Sequence, residues 1–69
     1  MKETTKDRIA LVLTFQTGLP VEACTDMVDE VINQITQLEQ GKSYYQSIEQ
    51  IVVDYLQLPA SWAVLFLDQ

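Results

Sequence analysis

An all-α fold follows from three features of this 69-residue sequence. Apolar residues recur at helical spacing, Gly18, Pro20, Gly41 and Pro59 fall where helical patterns start or stop, and the connections left between those patterns are short. The expected architecture is a single helical domain over residues 1–69, a small bundle of three longer helices plus a short C-terminal one, working as a homodimer.

The first helix is predicted from Thr5 to Gly18, with Thr4 or Thr5 as cap, Asp7 in the first turn and Gly18 as the stop. Ile9, Val12 and Leu13 share one face, while Leu11 and Phe15 form a second, so this helix is expected to be central or to lie between two surfaces. A strand is the competing reading of so short an apolar run.

Pro20 suits the first turn of a second helix running to Gln40 and stopped by Gly41. Twenty residues make a rod of about 30 Å. Val21, Cys24, Val28, Val31, Ile35 and Leu38 follow alternating steps of three and four, a heptad seam widened by Met27 and Ile32. Such a seam packs on a neighbouring helix, here preferentially within the same chain.

A third helix begins at Ser43 or Ser47, since each is followed three residues on by a glutamine that can complete a capping box. Ile48, Ile51, Val52, Tyr55 and Leu56 supply its apolar stripe, and Leu58-Pro59 ends it. Pro59 then opens a fourth helix, Ala60 to Leu67, whose apolar face is Trp62, Leu65 and Phe66.

A chain this short buries only about 60% of the surface its unfolded form exposes. One cysteine excludes an internal disulfide, and the lack of histidine removes the usual zinc sites. Oligomerisation is the remaining common source of stability. The 48% apolar content points the same way, with the surplus face of helix one or helix four as the expected dimer contact.

Charge is distributed unevenly. Residues 1–8 carry Lys2, Lys6 and Arg8 against Glu3 and Asp7, whereas from Ile9 onward Lys42 stands alone against eight acids, within a total of −6. This field repels nucleic acid and anionic membranes and favours basic partners, although net charge also serves solubility. The apolar run Ile9–Leu13 is too short for a signal segment and Trp62–Leu67 too short to cross a bilayer, so a soluble, cytoplasmic protein is expected.

No enzymatic chemistry is expected. Histidine is absent, and Cys24 sits on the heptad seam, where a thiol acts as a small buried apolar group. Glu22, Asp26, Asp29 and Glu30 fall along one helix face, but without a glycine-bearing ligand loop they read as dipole-complementing, solvated acids rather than a metal site. The turn QTGLPVEA resembles the start of a DNA-reading helix, yet those same acids would meet phosphate with negative charge. Ser47-Ile48-Glu49 is faintly similar to the serine attachment site of acyl carriers, with Gln46 where an aspartate is expected. No cofactor is called for.

Protein binding remains. The acids of helix two, together with Tyr44 and Tyr45, form the candidate partner-binding set: Tyr44, Tyr45, Glu22, Asp26, Asp29 and Glu30. Tyrosine offers large contact area at low rotamer cost, and surrounding acids steer a basic partner inward. Tyr45 lies seven residues before Val52 and is expected to join the core stripe, leaving Tyr44 nearer the surface. In its adjacent tyrosines and acidic balance the chain resembles, in general character, bacteriocin immunity proteins and phage-encoded inhibitors, which implies a regulator or inhibitor covering a basic surface. The alternative is a structural dimerisation or assembly subunit whose acids only keep it in solution.

Overall fold

The computed structural model describes residues 2–67 and contains helices with no strand among them. α1 spans Glu3–Thr17 and α2 spans Val21–Glu39. α3 spans Ile48–Ile51 and continues without interruption into a π-helical turn, Val52–Leu56. A 3₁₀ turn, Ala60–Ala63, leads into α4, Val64–Leu67.

α1 and α2 form an antiparallel hairpin because Gly18 ends one helix and Pro20 starts the next. Gly18 adopts φ 75°, and its N–H closes on the Thr14 carbonyl at 2.9 Å. Pro20 then enters α2 in an extended conformation, with φ fixed near the value a helix requires. Thr17 secures the corner by donating to the Leu13 carbonyl at 2.7 Å and accepting from the Leu19 N–H at 3.2 Å. The start of α1 differs from the sequence expectation. Thr4 and Thr5 lie inside the helix and cap nothing, since the helix begins two or three residues earlier than their side chains suggest, behind Lys2 with no side-chain cap.

The heptad seam of α2 is the spine of the core. Cys24, Val28, Val31 and Ile35 are buried, and Leu38 packs at their edge. Val21, at the seam's outer end, is exposed because α1 has already ended beside it. From α1 only Ile9, Ala10 and Leu13 are buried. The expectation of a central first helix is therefore corrected: α1 covers the core from outside, with Leu11 and Phe15 turned to solvent.

α2 ends in a Schellman arrangement about Gly41 at φ 73°, with the Lys42 N–H on the Gln37 carbonyl at 2.8 Å and the Gly41 N–H on that of Leu38 at 3.0 Å. Across the loop, Ser47 rather than Ser43 opens α3: its hydroxyl accepts from the Gln50 N–H at 3.2 Å, and Gln50 Oε1 accepts from the Gln46 N–H at 2.8 Å. Ser43 instead accepts from the Tyr45 N–H at 3.0 Å and shapes the loop.

The π-helical turn alters which residues face inward. Val52 and Leu56 keep the same side in the widened turn and are buried, whereas Tyr55, expected in the apolar stripe, is carried out to partial exposure. Gln57 ends the segment in the left-handed conformation, φ 56°, donating its N–H to the Val53 carbonyl at 3.1 Å. That reversal drops Leu58 into the core before Pro59. Ala63 and Phe66 close the core from below, so its far side comes entirely from the C-terminal third of the chain.

Candidate partner-binding surface

The six candidate residues fall into two groups. Glu22, Asp26, Asp29 and Glu30 occupy the first half of α2, with the first three exposed and Glu30 half-buried. Helical periodicity explains this: the seam residues Cys24, Val28 and Val31 turn toward the core and carry the intervening acids to the far side. Glu22 also lies in the first turn, where it complements the positive end of the helix dipole.

Two of the four acids already have partners. Asp29 forms an ion pair with Lys6 of α1, whose side chain is 18% exposed against 51% for the aspartate. The Asp29 hydrogen bond raises the Lys6 pKa above its ordinary value, burial opposing it and the charges of Asp29, Glu3 and Asp7 assisting it. Glu30 accepts from Gln34 Nε2 one turn along α2 at 3.2 Å. Glu22 and Asp26 are the exposed carboxylates of this group with no ion pair among the described residues.

The tyrosines sit in the loop after α2 and divide between surface and core. Tyr44 is 103% exposed, a full aromatic ring in solvent. Tyr45 is half-buried against the core cluster, its N–H held by Ser43. Of the pair, Tyr44 is therefore the ring open to contact from outside.

The acids and Tyr44 do not converge on one patch. From Glu30 to Gln40 the helix rises about 15 Å, and from Glu22 about 27 Å, at 1.5 Å per residue. Glu22 and Asp26 therefore lie near the start of α2 and Asp29 and Glu30 at its middle, while the tyrosine loop leaves its far end. The sequence carries this separation too, in the length of about 30 Å expected of the second helix. Lys6 was unassigned there, because pairing between two helices leaves no local spacing signal.

Other features offer little chemistry. A cleft of about 310 Å³ beside the start of α1 is lined by Lys2, Thr5, Val64 and Leu65, away from the acids of α2. Among the described residues no group of three His, Cys, Asp or Glu side chains is placed to hold a metal ion. Among the described residues no single helix is long and apolar enough to cross a membrane. Ile48–Leu56 with Ala60–Leu67 reaches that length and composition only as a pair bent by 118°. Ile51, Val52, Leu56 and Phe66 of that pair are the inner wall of the core.

No protein-family model, curated protein or solved structure matches this chain.

Proposed function

We propose that this is a small acidic protein-binding regulator or inhibitor, acting in the cytoplasm, that engages a basic surface of a partner protein. The observation that carries the reading is Tyr44: a whole aromatic ring held in water in the loop after α2, adding nothing to the core. Exposed aromatic rings of this kind serve as interface anchors, which slow dissociation, whereas Glu22 and Asp26 are placed to speed association. Because anchor and acids are separated along α2, the fitting partner presents basic groups along an elongated face rather than in one pocket.

The test is capture of partners from source-cell lysate at low and high salt, followed by binding of the captured protein to two variants. Tyr44→Ala is expected to accelerate dissociation. Glu22→Lys with Asp26→Lys is expected to slow association and flatten its salt dependence. Asp29 is left intact in this design, since reversing it would set two lysines against each other on α1 and α2. Unchanged kinetics in both variants removes the proposal.

A second reading has its own observation. Leu11 and Phe15 are 51% and 83% exposed on the outer side of α1, which favours a dimerisation or assembly module whose acids keep it in solution. Salt-resistant self-association with no basic partner would favour it.

A further inference from the structure

α1 carries a second seam on the side turned away from α2. Thr4, Arg8, Leu11, Phe15 and Gly18 succeed one another at steps of 4, 3, 4 and 3, the spacing of a coiled-coil contact, and all five are exposed. Leu19 and Val21, each about two-fifths exposed, continue the apolar surface around the turn into α2.

We infer that this seam is the contact of a homodimer in which α1 of one copy lies antiparallel on α1 of the other. The inference deepens the assembly reading and rests on it. A twofold axis midway between Leu11 and Phe15 packs each of these on the other in the partner copy. The same register sets Arg8 opposite Gly18.

Charge selects this direction. The last turn of α1 contains no basic residue, so its carbonyl end, the negative end of the helix dipole, has no cation of its own. In the antiparallel register Arg8 of the second copy supplies one. Gly18 leaves room for it: a Cβ added there would meet nothing within 4 Å. Glu22, exposed just beyond the turn, adds a carboxylate on the same side of the junction. A parallel arrangement would instead set Arg8 against Arg8 and leave both carbonyl ends uncompensated.

Size is consistent with a contact between two copies. Leu11, Phe15, Leu19 and Val21 together expose on the order of 400 Å² per copy, taking about 150–200 Å² for a fully exposed large side chain. That is half of the roughly 800 Å² per partner in a stable complex, leaving the flanking Thr4, Asp7 and Arg8 to form a polar rim.

Sedimentation across a micromolar-to-millimolar dilution series tests the dimer, and a spin label tests its direction. The wild-type chain is expected to reach dimer mass. Phe15→Glu is expected to stay monomeric with unchanged helical circular dichroism, as its ring lies outside the core. Arg8→Glu is expected to weaken the dimer at least tenfold. With Thr4→Cys labelled, Cys24 being fully buried and unreactive in the native fold, the antiparallel register places the two labels about 27 Å apart along the helix axis. A parallel contact would bring them to about 10 Å. A short label distance in a dimer that Phe15→Glu dissolves overturns the register while the assembly reading stands. A monomer at every concentration, or a dimer indifferent to Phe15→Glu, overturns the inference and withdraws the Phe15 face from the assembly reading.

Discussion

Lys6 of α1 reaches across the hairpin to Asp29 of α2, forming the ion pair that ties the chain's basic N-terminal segment to its acidic second helix. The lysine side chain is the less exposed of the two, and its pKa is raised chiefly by the hydrogen bond to Asp29. A lysine with a raised folded-state pKa contributes stability that is fully present below its unfolded value, about 10.4, and lost as pH climbs through the folded value.

Lys6→Met should therefore lower the urea midpoint at neutral pH, by a small amount because Asp29 is half-exposed and water screens the pair. The gap between variant and wild type should close only as pH climbs through the folded-state value of Lys6, which lies above the ordinary lysine value. Urea titrations at neutral and strongly alkaline pH check this. A gap that persisted unchanged at alkaline pH would assign the effect to packing of the lysine stem instead.

The adjacent tyrosines should differ sharply in their contribution to stability. Tyr44→Ala should leave the unfolding midpoint within experimental error, since the ring is wholly exposed. Tyr45→Ala should cost about 1–2 kcal/mol, because it removes a ring packed against the core. Denaturant melts of both variants decide it, and equal losses would contradict the packing of the loop.

Two left-handed positions should respond in opposite senses. Gly18→Ala should destabilise by about 1 kcal/mol, all of it conformational, because the space around Gly18 is open. Gln57→Gly should stabilise by up to about 1 kcal/mol by relieving a residue with a Cβ at φ 56°. Thermal unfolding of the pair side by side provides the comparison.

Caps give a fourth test. Ser47→Ala should cost about 1 kcal/mol through loss of the bond from the Gln50 N–H. Thr4→Ala, at an exposed helical position that caps nothing, should be neutral or stabilise by a few tenths of a kcal/mol, since alanine is the better helix former.

Much of the fold was legible in the sequence because it is encoded locally. The heptad seam of α2 predicted Cys24, Val28, Val31 and Ile35 as its buried face, and Gly18, Pro20 and Gly41 stand at the turns where their backbone preferences place them. The inward face of α3 was only partly legible. Periodicity assumes 3.6 residues per turn, and the π-helical turn breaks that assumption, sending Tyr55 outward. The exposure of Phe15 was illegible for a different reason: an apolar residue on a second helix face reads the same whether another element covers it or not. For the candidate surface, the chemistry of the acids and of Tyr44 and their separation along α2 could be read, but the commitment of Asp29 to Lys6 depends on how two helices dock.

The loop from Gly41 to Ser47, exposed at Lys42, joins two halves that share one core: the α1–α2 hairpin supplies Ile9, Leu13, Val28 and Val31, and the C-terminal third supplies Ile51, Val52, Leu56 and Phe66. Lys42 lies in that loop and is the only basic residue after Arg8, so trypsin has one site there between two folded segments. A single nick should leave the pieces held together by their interdigitated apolar faces, making the protein a natural split pair whose reassembly from separate peptides reports directly on the core.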